Sequence, residues 1–134
     1  MVDDILLTHA GLDQRLVPSS AKTNADIYEY LDKSVDEANS KIVSNQNHWF
    51  YQVGAYRGGA FRTGGITWVD FDHELETIDD LRQIVGHTNQ YRRKRIVSHR
   101  GDAAFNVAEA KDICIDCSMI QYLIIQNGKI EIKN

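Results

Sequence analysis

Proline is nearly missing from this chain: Pro18 is the only one in 134 residues. With it go any proline-rich linker and any sign of a boundary between domains; internal repeats and low-complexity stretches are absent too. Cysteine is almost as scarce. Cys114 and Cys117 form a lone Cys-x-x-Cys inside an apolar run. On a strand, residues three apart face opposite sides, which is poor geometry for a shared zinc or a disulfide. The reading is two buried free thiols, with a redox or metal role as the alternative. No apolar run approaches the ~20 residues needed to cross a bilayer. Met1-Val2-Asp3-Asp4 lacks the basic and long apolar regions of a signal peptide, so the expected location is cytoplasmic, with no membrane partner. Positive charge is in deficit as well. A net charge of −4 argues against electrostatic wrapping of nucleic acid. Arg92-Arg93-Lys94-Arg95 is the local exception, either a solvated loop or a contact for a phosphate-bearing partner.

What is present describes one globular domain of the α/β class: 43% hydrophobic and 25% charged residues, in a chain long enough to bury a core. A first strand is expected over residues 4–8, then a loop from Asp13 to Thr23. Thr23 or Asn24 caps a helix to about Val43, whose apolar positions Ile27, Leu31, Val35, Ala38 and Ile42 recur at three-to-four spacing, with Tyr28 beside them. His48 to Val53 is aromatic and reads as extended. Residues 54–65 hold five of the nine glycines, too many for regular structure, and form a loop long enough to be functional. Ile66 to Val69 reads as a short strand, Thr77 to Leu81 as a single helical turn, and Gln83 to Val85 as a buried strand. Beyond His87 the pattern is mostly strand, at Lys94–His99 and Asp112–Cys117. Residues 119–126 and 129–133 flank Asn127-Gly128, a type I′ hairpin signal.

Two apolar strands end in the same way. Asp4 to Thr8 delivers His9, followed by Ala10 and Gly11; Ile84-Val85-Gly86 delivers His87. Open α/β sheets build their sites at such strand tips, and histidine is the commonest metal ligand. As parallel neighbours the two strands bring both imidazoles to one edge and a common cleft, with the Arg57 loop above it. Two imidazoles hold a divalent metal only when carboxylates or water complete the shell. Arg57 and Arg62, in the glycine loop, suit a bidentate grip on phosphate, and acidic residues gather near Trp68. Histidine ligands with phosphate-gripping arginine point to metal-assisted phosphoryl hydrolysis.

His9-Ala10-Gly11-Leu12, then Arg57-Gly58-Gly59 with Gly64-Gly65-Ile66-Thr67-Trp68, then Gly86-His87-Thr88, then Ile115-Asp116 before a hairpin, occur in the order found in calcineurin-like metallophosphoesterases. The chain resembles the phosphoprotein-phosphatase and diadenosine-tetraphosphatase branch, including its bacterial and phage members. The resemblance implies that His9 and His87 are metal ligands and that Arg57, with Arg62 behind it, contacts the substrate phosphate. It implies a divalent metal (manganese, iron, zinc or nickel). Where the family continues Asp-Thr-Gly, this chain has Asp116-Cys117-Ser118, so Asp116 is read as structural.

The likeness spans nearly the whole chain but only the C-terminal half of the family. The Asp-x-His, Gly-Asp and Gly-Asn-His motifs of complete members precede the His-Ala-Gly strand. Neither Asn47-His48 nor Gly101-Asp102 stands in the place of any of them. The expected fold is therefore α/β, the C-terminal half of an α/β/β/α sandwich spanning residues 1–134, with a mixed sheet ending in an antiparallel hairpin. A two-metal site takes about six protein ligands, of which this chain supplies two by resemblance. Half a sandwich leaves a sheet face exposed, so a homo-oligomer or a chain carrying the other half is the expected partner, besides a phosphate-containing substrate. Two functions follow: half of a metal-dependent phosphoesterase, inactive alone, or a non-catalytic self-association or binding module derived from that fold.

Overall fold

The computed structural model describes residues 2–99 and 106–134; Gly101-Asp102 lies outside them. It is a mixed α/β fold of three layers. The middle layer is a four-stranded sheet of β1 (Ile5–Thr8), β2 (Arg82–Val85), β3 (Val97–Ser98) and β4 (Asp112–Cys114) in the order β1-β2-β4-β3. β2 runs parallel to both β1 and β4, while β3 is antiparallel to β4. The register sets Leu7, Ile84 and Ile113 side by side, and Leu6 beside Gln83. Because side chains alternate across a strand, these two rows lie on opposite faces.

The Leu6 face is covered by α1 (Asn24–Val43), which contributes Ile27, Leu31 and Ala38 to a cluster with Leu6, Leu12 and Phe50. The helix starts where its cap dictates. Thr23 accepts from the Asp26 amide at 3.2 Å, and the Asp26 carboxylate accepts from the Thr23 amide at 2.9 Å, a reciprocal capping box. Val35 and Ile42, expected inside, are exposed, and Ser34 is buried in their place. At 100° per residue they sit about 60–80° round from Ile27, off the edge of the buried arc.

On the other face, β5 (Tyr122–Gln126) and β6 (Lys129–Lys133) form a separate two-stranded sheet. Asn127 and Gly128 make its two-residue turn with φ of 51° and 70°, the left-handed pair a type I′ turn requires. Leu123, Ile125, Ile130 and Ile132 of this hairpin pack with Ile5, Ile84 and Ile113. The bare sheet face expected of a half sandwich is thus largely covered from within the chain. Leu7 and Ile115 remain 43% and 41% exposed, because β1 is an edge strand and Ile115 lies beyond the end of β4.

Several expected strands are shorter or replaced. Trp49–Tyr51 is a one-turn 3-10 helix whose N-cap is the His48 side chain, not an extended segment. Residues 66–68 form a turn, with the Trp68 and Val69 amides both donating to the Gly65 carbonyl at 2.9 Å. Thr77–Leu81 holds no helix; the Leu81 amide closes a single turn on the Ile78 carbonyl. Lys94 has a φ of 51° in a turn over residues 91–94, which delays β3 to Val97. The glycine loop, expected to be irregular, contains one 3-10 turn at Ala55–Arg57.

The cysteines separate as expected, though not by strand alternation, since β4 ends at Cys114 and Cys117 lies in the bend after it. Cys114 joins the Val85 and Val97 cluster, and Cys117 joins the Ile130 cluster. Both are buried free thiols, and burial pushes the Cys114 thiol up to about 12. No helix among the described residues is long and apolar enough to cross a membrane.

A candidate two-histidine site at the strand tips

β1 and β2 end together because they are parallel and in register, Thr8 beside Val85. The residues just past them are held by the backbone. The Gly86 amide donates to the His9 carbonyl at 2.8 Å, and the Ala10 amide to the Ile66 carbonyl at 3.0 Å. Gln83, buried in mid-sheet, clamps the chain beyond His9: its side-chain oxygen accepts from the Leu12 amide at 2.8 Å and its NH2 donates to the Leu12 carbonyl at 3.0 Å. Both rings are therefore fixed at one edge. His9 Nε2 lies 2.9 Å from His87 Nδ1, close enough for one ring to donate to the other.

His87 is the constrained partner. Its φ is 64°, a left-handed conformation uncommon for a residue with a β-carbon. The edge of Trp68 packs on its ring at 5.3 Å between centroids, and its Nε2 is buried with no hydrogen-bond partner. Burial first, then the nearby Arg57 and His9 charges, lowers the His87 pKa, against a smaller opposing pull from Asp70 and Asp116. The ring stays neutral at pH 7 and keeps a lone pair.

Arg57 reaches the same edge. One guanidinium NH2 donates to Thr88 Oγ1 at 2.8 Å and pairs with Asp70 Oδ2 at 3.1 Å, so the arginine stands against the residue that follows His87. Its loop is held by Glu74, a buried carboxylate that accepts from the Tyr56 amide at 3.0 Å, the Gly64 amide at 2.9 Å and the Asp70 amide at 3.2 Å. Gly54 is required for this approach, since a β-carbon there runs into the Glu74 carboxylate. Arg62 is not brought in. It is exposed, and no hydrogen bond or ion pair joins it to His9, His87 or Arg57.

Asp70, Thr88, Glu74 and Gln83 complete the arrangement; Thr88 belongs to the Gly86-His87-Thr88 motif, while the other three have no sequence signal that separates them from ordinary polar residues. Asp70 and Glu74 stood within the acidic run beside Trp68, but nothing local says which carboxylate meets Arg57 and which meets backbone amides. The Asp116 carboxylate accepts from Asn89 Nδ2 at 3.0 Å, and its charge acts on His87.

His9 Nε2 and His87 Nδ1 fit as two ligands of one divalent ion, since bonds of about 2.0–2.1 Å to each nitrogen place tetrahedral neighbours about 3.3 Å apart. Among the described residues no group of three or more histidine, cysteine, aspartate or glutamate side chains is placed to hold a metal ion. Set against protein-family models, curated proteins and solved structures, the chain matches none.

Proposed function

We propose that this chain is the C-terminal half of a metal-dependent phosphoesterase of the calcineurin-like type, carrying half of a metal site and the phosphate-binding arginine. The observation that carries the reading is the pair of imidazole nitrogens 2.9 Å apart at adjacent parallel strand tips, with Arg57 tied to Thr88 beside them. His9 and His87 would hold the ion, and a bound divalent cation supplies Lewis acidity and lowers the pKa of bound water. The chain's own residues do the rest. Arg57 presents its guanidinium to the phosphoryl oxygens, where negative charge is stabilised. Thr88 holds it at this edge, Asp70 pairs with it in the absence of an anion, and Glu74 fixes the loop that carries it. The anionic ligands come from another chain or segment.

The reading is tested by adding cobalt(II) to the chain while following the histidine ring signals. His9 and His87 should shift together at a single midpoint, weakly bound, and His87→Gln should abolish the response of both. Independent shifts of the two rings would remove the shared site. Without the complementing ligands, hydrolysis of 4-nitrophenyl phosphate should stay at background with or without manganese. Robust turnover that disappears in His87→Ala would show that the chain needs no complement.

A second reading, a self-association module built on the same fold, is favoured by one feature: Leu7 stands exposed on the edge strand β1, with Ile115 exposed past the end of β4.

A further inference from the structure

His73 takes no part in the site as described, yet it hangs on the same carboxylate as Arg57. Asp70 Oδ2 pairs with the guanidinium at 3.1 Å, while Oδ1 meets His73 Nδ1 at 2.8 Å. The turn is locked onto that oxygen, which also accepts from the Asp72 amide at 3.1 Å and the His73 amide at 3.0 Å. Tyr56, the residue before Arg57, stacks on the imidazole with centroids 4.9 Å apart and planes 13° from parallel. The ring is thus placed from both sides, while its side chain stays 59% exposed, open to proton exchange with solvent.

This geometry decides what an incoming phosphoryl dianion meets. Arg57 is already paired to Asp70, and a carboxylate beside a second anion disfavours both charges. A proton on His73 gives Asp70 a second cationic partner. The neighbouring charges are engaged elsewhere: Asp72 pairs with Arg93 at 2.8 Å, and Glu74 is filled by three backbone amides. Asp70 is accordingly the carboxylate that His73 answers to, and histidine is the side chain whose charge ordinarily changes between pH 5 and 8.

We propose that His73 couples anion binding at Arg57 to the uptake of one proton: protonated His73 neutralises Asp70, and Arg57 turns from Asp70 to the oxygens of the anion. His73 is a positioning residue, acting through Asp70. The proposal rests on the reading of Arg57 as the phosphate contact, and it adds a proton-linked control that this reading does not require.

The test is a nuclear magnetic resonance titration of the full chain with sulfate, which stays dianionic over the relevant range, following all five histidines ring by ring from about pH 5.5 to 8.5. Sulfate should move the His73 titration midpoint to higher pH. Its affinity should rise as pH falls, by at most about tenfold per unit for one linked proton. In His73→Gln the affinity should lose that rise and stay near the alkaline value of the unaltered chain. Asp70→Asn keeps an oxygen for the turn amides and removes the competing charge, so at pH 8 it should bind sulfate as the unaltered chain does at pH 6. The proposal is overturned if the proton taken up appears on His9 or His87 instead, if His73→Gln keeps the full slope, or if the unaltered chain binds no sulfate at any pH. Loss of binding in Arg57→Gln, together with an undiminished slope in His73→Gln, removes His73 and leaves the phosphate role of Arg57 standing.

Discussion

At the scale of single residues, His87 and Glu74 carry the largest testable consequences. The folded-state pKa of His87 is depressed below 6.5, chiefly by burial. Above 6.5 the ring is neutral in folded and unfolded chains alike. Below it the unfolded chain takes up the proton first, so stability is lost as pH falls toward the folded pKa. Urea unfolding at pH 7.5, 6.5 and 5.5 should show a smaller acid loss in His87→Gln than in the unaltered chain; equal losses would mean that the ring titrates freely. Glu74 is a different case, a carboxylate spent on backbone. Glu74→Gln keeps one acceptor but turns an NH2 toward amides that need oxygen, so it should cost roughly 1–3 kcal/mol. The Tyr56 and Gly64 amide signals should shift with it. Unchanged stability and unchanged signals would contradict the role given to Glu74 in holding the Arg57 loop.

At the scale of elements, α1 and the β5–β6 hairpin are the pieces whose formation follows most directly from local chemistry. Thr23→Ala removes the side-chain acceptor of the Asp26 amide and should cost about 1 kcal/mol, read as a lower urea midpoint with an unchanged slope. A loss near zero would mean that packing of Ile27 and Leu31 alone sets the helix start. The short sheet strands stand at the opposite pole. β3 has two residues and β4 three, too few to be specified by alternation; β4 forms on β2 as a parallel template, and β3 in turn pairs antiparallel with β4.

At the scale of the whole molecule, the hairpin covers most of the sheet face but leaves Leu7 exposed on the edge strand β1 and Ile115 exposed past the end of β4. An edge strand with an exposed apolar side chain is a template for pairing with another chain. We expect self-association at micromolar concentration in sedimentation experiments, reduced by Leu7→Lys, a charge that natural edges use to block pairing. A compact monomer at every concentration, with no binding of an apolar dye, would count decisively against it.

The sequence by itself determined the elements with strong local codes. The capping residues around Thr23 placed the helix start, Asn127-Gly128 placed the hairpin, and two apolar runs ending in His9 and His87 placed both histidines at strand tips. Only the tertiary structure decided the rest. Parallel pairing in register put a nitrogen of one ring 2.9 Å from a nitrogen of the other, a non-local contact across 78 residues that no local pattern encodes. Residues 48–53 and 66–69 were misread as extended because their apolar pattern does not show the turns closed there by the His48 side chain and the Gly65 carbonyl. The shape of the glycine loop depends on Glu74 reaching it from elsewhere in the chain. The same dependence separated Arg57 from Arg62. Both are arginines in one glycine loop, and Arg57 is the one tied to Asp70 and to Thr88, the residue after His87.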